Sequence, residues 1–323
     1  MKKFIVSLAM VAVFLLGAQS VWTAEPVTLK ASCFLPKNHP VAVKVPVWID
    51  EINKGLPGAV EVKFVGGPEV IPAFEQIEAL RKGIIDVSFT AGAHYGPQLP
   101  AANSLHLSKL MPWEERKSGY FDLMVKQHEK IGARYIGRWM YGPFYMWLKE
   151  PVKTPQELRE RRLRTHPLYD RFYKALGISA VTIQTSEIYT ALERGVIEGT
   201  SWPIQGPREQ GWIRFLKCII NHPFYAQNNT VILMNLDTWN KLPAGVQSKV
   251  GDITSSFERG MVSYFQEQIA QEWDLLKKEN IQVIEFSPSD AAMFLNLAYD
   301  SEWADLEKKI PDLVPQLRKT SGN

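Results

Sequence analysis

The chain has 323 residues, of which 37 are Lys or Arg and 34 are Asp or Glu, so its formal net charge at pH 7 is +3. A balance this close to neutral gives no reason to expect a nucleic acid or an anionic membrane surface as the partner. A chain of this length can bury a full core and can build two domains.

The first 24 residues have the pattern of a secretory signal peptide. Lys2 and Lys3 precede an almost wholly apolar run over 4–18, and small and polar residues follow it. Cleavage after Ser20 and cleavage after Ala24 both fit this pattern. An uncleaved anchor is the alternative, although no later stretch approaches the ~20 apolar residues that a membrane span requires. The pattern therefore predicts a soluble mature protein that is exported to the periplasm.

The next part of the chain alternates short apolar strands with helices. Residues 27–34, 60–65 and 84–90 have strand-like patterns, and 41–54 and 72–83 have helical spacing between them. Short links between such elements predict a parallel, doubly wound sheet, in which ligands bind beyond the carboxyl ends of the strands. The candidates for lining a cleft there, with ordinary loop packing as the alternative, are Phe34, Gly92, His94 and Tyr95.

A basic residue, Arg164, lies in a short predicted strand over 163–165. Pro167 closes this strand, because proline cannot lie inside one, and helical spacing resumes over 168–177. An arginine side chain is always charged and offers two parallel N–H donors that match a carboxylate. A strand-borne arginine at a sheet end therefore predicts an anion site, although composition alone favours an ordinary surface position.

The segment 157–207 resembles the second-domain signature of the substrate-binding proteins of TRAP transporters, the DctP-like family. The motifs that carry the resemblance are ELRERRLR at 157–164, ALG at 175–177, EIYTAL at 187–192 and GVIEG at 195–199. The resemblance extends over nearly the whole mature chain. It implies an α/β fold of two domains, each a central sheet flanked by helices, with Arg164 at the position of the family's carboxylate-binding arginine.

The resemblance also implies a function. It predicts a monomeric periplasmic receptor for a small organic acid, without a cofactor, that delivers its ligand to the small and large integral membrane subunits of a transporter driven by an ion gradient. A sensor that signals to a membrane kinase and, less favoured, a periplasmic enzyme are the alternatives. The chain has no G-x-S-x-G or P-loop motif, so nothing in the sequence calls for catalysis.

Two departures from the family pattern bear on the ligand. Phe144 or Tyr145 stands where many relatives have a second arginine, and Trp202 stands where the family often has asparagine. Tyr225 lies in a segment, 221–225, that resembles an aromatic-rich ligand loop. Aromatic rings provide large apolar area for flat ligands. These residues predict a monocarboxylate with aromatic, branched or 2-oxo character; a metal in the site is not indicated by any cluster with ligand spacing.

The longest helical pattern in the chain runs from 243 to about 278, and the resemblance implies that it spans both domains. The predicted domains are 25–141 plus 234–272 and 142–233 plus 273–323, with the ligand cleft between them. Cys33 and Cys218 fall in different predicted domains. A disulfide between them would hinder closure of the cleft, so free, buried thiols are expected, although sequence alone cannot exclude the bond.

Overall fold

The structure, a computed structural model, describes residues 26–225 and 227–323. The predicted signal peptide over 1–24 lies outside the described residues. Two sheets with flanking helices make up the fold, as the sequence predicts. Across the described ranges, no helix is both long and apolar enough to cross a membrane.

The strands alternate with helices along the chain. In chain order the strands are β1 (Val27–Cys33), β2 (Val60–Gly66), β3 (Val87–Ala91), β4 (Ala133–Arg138), β5 (Phe144–Leu148), β6 (Arg162–Thr165), β7 (Ser179–Thr182), β8 (Gly199–Trp202), β9 (Cys218–Phe224), β10 (Thr230–Asn235) and β11 (Gln282–Ile284). The helices are α1 (Lys44–Gly55), α2 (Gln76–Arg81), α3 (Pro112–Ser118), α4 (Tyr120–Glu129), α5 (Asp170–Leu176), α6 (Ile188–Glu193), α7 (Leu236–Lys241), α8 (Ala244–Lys278), α9 (Pro288–Lys309) and α10 (Val314–Thr320).

The two sheets are mixed rather than fully parallel. The first has the order β2-β1-β3-β10-β4, in which β1 is parallel to β2 and β3, and β10 is antiparallel to both of its neighbours. The second has the order β11-β9-β5-β8-β6-β7, in which β6 is parallel to β7 and β8, and β5 is antiparallel to β8 and β9. The parallel pairs arise where a helix connects the strands, as the sequence pattern indicated.

Among the described residues, two short segments cross between the sheets, after Arg138 and after Phe224, and helix α8 makes a third connection, between β10 and β11. The predicted boundary at 141/142 lies between β4 and β5, within the first crossing. The predicted return at 233/234 falls inside β10, and all of β10 lies in the first sheet. The pattern of apolar residues does not show which sheet β10 belongs to, because a buried strand has the same apolar pattern in either sheet.

Helix α8 connects the two domains. Its 35 residues give a length of roughly 50 Å. It packs on α1, α3 and β4 near its start, while Trp273 and Leu276 near its end join the core of the second domain. Helix α9 packs on α5 and β9 and also on the 3₁₀ turn Pro100–Ser104, so the C-terminal helices contact both domains rather than the second alone.

Strands β5, β8 and β9 were not predicted, and the predicted aromatic loop at 221–225 lies mostly in β9. Asn221 and Pro223 are typical of turns. The sheet accommodates Pro223 because the register of β5 and β9 shifts between the pairs Phe144–Phe224 and Met146–Ile220. Cys33 and Cys218 are buried and unbonded.

Candidate functional site

A cavity lies between the two sheets, beside the two crossings. Its empty volume is about 450 Å³, a figure that includes space open to solvent. It is lined by Phe34, Leu35, Val41, Ala91, Met140, Phe144, Arg164, His166, Leu168, Tyr169, Thr185, Trp202, Pro203 and residues 228–230. We call it the main cavity. Residues from both domains and both crossings therefore form its wall.

A second cavity lies on another side of Arg164. It shares Phe34, Arg164, His166 and Thr185 with the main cavity, and Phe74 and His94 are among its other first-domain residues. We call it the side cavity. Because Arg164 lines both spaces, its guanidinium lies at the centre of the candidate site.

Arg164 is held in place by neutral groups. Its side chain is 2% exposed. Its Nε donates a hydrogen bond to the carbonyl of Ile183 (2.9 Å), and its Nη1 donates to the hydroxyl of Tyr169 (2.6 Å). Across residues 26–225 and 227–323 no carboxylate forms an ion pair with it. A buried charge without a counter-ion is costly, so this guanidinium is poised for an anion.

Arg138 shows how this protein satisfies a buried arginine that has a structural role. It is also 2% exposed. Its Nη2 donates to Glu115 Oε1 (2.6 Å) and its Nε donates to Glu115 Oε2 (3.2 Å), which is the two-bond geometry that arginine favours with a carboxylate. Arg164 has the same burial without such a partner. The contrast makes Arg164 the candidate anion-binding arginine of the two.

Tyr169 positions Arg164. Its hydroxyl accepts the bond from Arg164 and donates to the carbonyl of Ser201 (2.9 Å), and its ring lines the main cavity. Sequence analysis missed this residue. Tyr169 lies five residues after Arg164, beyond the turn at Pro167. Its contact with Arg164 can be inferred only when the conformation of this turn is known.

Three polar residues of the second crossing line the main cavity: Asn228, Asn229 and Thr230. Asn229 Nδ2 and Thr230 Oγ1 are buried and have no hydrogen-bond partner among the described residues. Unpartnered polar atoms are unusual in native structures because they lose their bonds to water. Their position in the wall makes them candidates to bond a ligand, and sequence analysis missed them because two asparagines in a row indicate a turn.

Trp202 lines the main cavity, and its buried indole nitrogen has no hydrogen-bond partner among the described residues. The guanidinium carbon of Arg164 lies 5.8 Å from the centre of the indole ring. The indole nitrogen lies against Gly206, where a Cβ atom would come within 2.7 Å of it. Gly206 has a φ of +109°, which side chains rarely adopt, so glycine is required here for two reasons.

The structure brings five of the nine predicted site residues to the two cavities. Phe34, Phe144, Arg164 and Trp202 line the main cavity. Phe34 and Arg164 also line the side cavity, together with His94.

The other four predicted residues lie in the core, and the prediction that they line the cleft is not supported. Gly92 packs against the carbonyl of Ala102, and the Tyr95 hydroxyl hydrogen-bonds His128 Nε2 (2.8 Å). Both are buried inside the turns that follow β3. A position just past the end of a strand is therefore not enough to place a residue in the cleft.

Tyr145 and Tyr225 lie away from the cavities for different reasons. Side chains alternate along β5, so Phe144 lines the main cavity while Tyr145 packs on Trp273 of α8, with ring centres 5.5 Å apart. Tyr225 is fully buried at the second crossing, and its hydroxyl donates to Glu302 of α9 (3.4 Å). Its φ of +57° turns the chain out of β9.

His94 and His166 meet across the cleft, with 3.1 Å between their Nε2 atoms. Burial lowers the pKa of His94 to about 3, and the positive charge of Arg164 adds to this effect. Burial, His94 and Arg164 together place the pKa of His166 well below its ordinary value. Both rings are therefore neutral in this arrangement. Within the described ranges, no group of three or more His, Cys, Asp or Glu residues is placed to hold a metal ion.

Comparison with known families decides the classification. A match to the bacterial extracellular solute-binding proteins, family 7, spans residues 31–309. The chain belongs to this family. The resemblance to the substrate-binding proteins of TRAP transporters, which the motifs around Arg164 indicated, is thereby confirmed.

Relatives and solved structures agree with this membership. The chain is 24% identical to a solute-binding protein of Roseobacter denitrificans, with 93% of each chain covered. It is 24% identical to the C4-dicarboxylate-binding periplasmic protein DctP of Rhodobacter capsulatus, with 70% of each covered. Its fold is similar to a TRAP periplasmic solute-binding protein of Desulfovibrio salexigens with bound orotic acid, at a TM-score of 0.77 and 18% identity, covering 91% of this chain and 97% of that chain.

Proposed function

We propose that this solute receptor is exported to the periplasm, where it binds a small monocarboxylate in the main cavity. It then delivers the ligand to the membrane subunits of a TRAP-type transporter. The observation that carries the proposal is Arg164, a buried guanidinium with no carboxylate partner among the described residues. The ligand's carboxylate would supply the missing charge through two parallel hydrogen bonds. Each bond to a charged group contributes about 1.5–3 kcal/mol.

The composition of the wall supports one carboxylate rather than two. Arg164 is the one charged side chain among the described residues that line the main cavity. A second carboxylate would be buried there without a cation, which is costly. Phe34, Phe144 and Trp202 offer apolar surface to the body of the ligand, while Asn229 and Thr230 can bond an oxygen on it. The wall therefore fits a flat, branched or 2-oxo monocarboxylate.

The relatives do not decide between ligands. The protein of Rhodobacter capsulatus is named for C4-dicarboxylates, and the structure from Desulfovibrio salexigens contains orotic acid. At 24% and 18% identity these names support an organic acid in general. The preference for a monocarboxylate rests on the single cation in the wall.

A thermal-shift series tests the proposal. The chain without residues 1–24 is heated with pyruvate, 4-methyl-2-oxopentanoate, orotate, benzoate or succinate. A ligand that binds only the folded state raises Tm by mass action. We expect a rise with at least one of the four monocarboxylates and a smaller rise or none with succinate. A rise with succinate alone would contradict the monocarboxylate preference, and conversion of a bound acid to product would show an enzyme instead.

A pair of neighbouring substitutions tests the wall. Phe144→Leu is expected to raise the Kd of the bound acid about three- to tenfold, because an aromatic contact contributes about 0.5–1.5 kcal/mol. Tyr145→Phe is the matched control, since Tyr145 lies on the opposite face of β5. It is expected to leave Kd unchanged in calorimetric titration. Equal effects of the two substitutions would place the ligand elsewhere.

A further inference from the structure

The contact between His94 and His166 joins the two domains at the rim of the site. His94 lies in the 3₁₀ turn after β3, and His166 follows β6 directly. His94 is buried and His166 is partly buried. Their 3.1 Å Nε2–Nε2 contact is a direct side-chain hydrogen bond across the cleft, next to Arg164.

The hydrogen bonds around the pair define which nitrogen carries each proton. The N–H group of Leu168 donates to His166 Nδ1 (3.2 Å), so that nitrogen carries no proton. His166 Nε2 then carries the proton of the neutral ring and donates it to His94 Nε2. His94 must therefore carry its own proton on Nδ1, which lies 3.3 Å from Thr90 Oγ1 and donates to it. One neutral arrangement satisfies the whole chain of bonds.

A proton added to either ring disrupts this arrangement. Protonated His94 would present an N–H group to the N–H group of His166 at 3.1 Å. Protonated His166 would present one to the N–H group of Leu168. Each change replaces an attractive contact with a repulsive one.

The described side chains around the pair offer no negative charge to such a proton, and the carboxylate of the proposed ligand would be neutralised by Arg164. His94 packs edge-on against Phe34 and Phe74, with ring centres 4.8 and 4.9 Å away. His166 stacks on Phe74 and lies beside Tyr169, the residue that precedes α5. The charged group that faces both rings is Arg164, and the described lining of the side cavity contains no acidic residue.

We propose that the hydrogen bond between His94 and His166 is a pH-sensitive latch that holds the cleft closed over the ligand only while both histidines are neutral. The proposal rests on the proposed function, because it assumes that the domains close over an acid beside Arg164. In the open cleft both rings are separated and accessible to water. Closure then requires that any proton they carry is released.

The direction of the pH effect follows from this linkage. In the open cleft each histidine is expected to have its ordinary pKa of about 6.5. In the arrangement seen here, burial and the charge of Arg164 lower the pKa of His94 to about 3. Ligand affinity is therefore full above pH 6.5 and is lost as pH falls below it, because the open state then binds protons that the closed state cannot. Between pH 7.5 and 5.5 one such histidine raises Kd about tenfold, and two raise it up to about a hundredfold.

The test compares Kd at pH 7.5 and pH 5.5 by calorimetric titration. The probe is whichever of pyruvate, 4-methyl-2-oxopentanoate, orotate and benzoate gives the largest thermal shift, since all four remain ionised in this range. The wild-type protein is expected to bind at least tenfold more weakly at pH 5.5. Circular dichroism at both pH values checks that the protein stays folded. Equal Kd values at the two pH values would overturn the latch while leaving the proposed function intact.

Glutamine variants assign the effect to the pair. The double variant His94→Gln/His166→Gln keeps an amide hydrogen bond across the cleft but cannot be protonated. Its Kd is expected to change less than about threefold between the two pH values. His222→Gln is the control, because His222 lies on β9 beside Phe286. His39→Gln tests the competing histidine, because burial lowers the pKa of His39 to about 4 and its ring lies 5.9 Å from that of Trp202. Both variants are expected to keep the pH dependence of the wild type.

Two further results would overturn the latch. One is a Kd that no longer depends on pH in the His39→Gln variant, together with a wild-type pH dependence of Kd in the double variant. This result would assign the pH dependence to His39. The other is nitrogen NMR of the ligand-bound protein that shows His166 protonated on Nδ1 rather than Nε2. Absence of binding by every acid at pH 7.5 would instead contradict the proposed function, and the latch with it.

Discussion

Substitution of Arg164 by methionine is expected to raise the Kd for the bound acid by at least a hundredfold. The variant loses two charge-assisted hydrogen bonds to the carboxylate, which together contribute about 3–6 kcal/mol. Methionine fills similar apolar volume and leaves no charge in the wall. Calorimetric titration measures the loss of binding, and urea unfolding measures stability.

The same substitution is expected to leave the free energy of unfolding unchanged or slightly higher. Arg164 forms its described side-chain bonds with neutral groups, so its removal strands no buried carboxylate. Arg138→Met is the matched control, because it strands the buried carboxylate of Glu115 and should lower stability. Wild-type affinity in Arg164→Met would contradict the proposed site. A loss of stability equal to that of Arg138→Met would show that Arg164 is structural.

Substitution of Glu115 by alanine is expected to lower the free energy of unfolding by about 3–5 kcal/mol, because it leaves the charge of Arg138 buried and unpaired. Both side chains of this pair are 2% exposed. Urea unfolding monitored by circular dichroism measures the change. The control is Glu78→Ala, which removes an exposed pair with Arg81 and should cost no more than about 1 kcal/mol.

The Glu115 variant should also weaken ligand binding indirectly. Arg138 Nη1 donates to the carbonyl of Asn228 (2.7 Å), and so holds the crossing that carries Asn229 and Thr230. A misplaced arginine would loosen that part of the wall. If Glu115→Ala unfolds with wild-type stability, the ion pair with Arg138 contributes nothing to the fold.

The predicted residues that line the main cavity share one property: their signal is local. Arg164 stands out because a charged residue in a short strand calls for an anion, and Trp202 and Phe144 stand out as aromatic residues where many relatives have polar ones. The predicted residues that lie away from the cavities had local signals too. Tyr145 is aromatic and adjacent to Phe144, but the alternation of side chains along β5 sends it to the other face.

The sequence by itself determined the alternation of strands and helices, the long helix α8 and the position of Arg164, because these depend on periodicity and chemistry within short windows. Only the tertiary structure decided that Arg164 lacks a carboxylate partner within 26–225 and 227–323 while Arg138 has one, that Asn229 and Thr230 line the cavity, and that His94 meets His166. Each of these depends on pairs of residues far apart in the chain, and a single sequence carries no signal for which distant side chains the packing of two domains brings together.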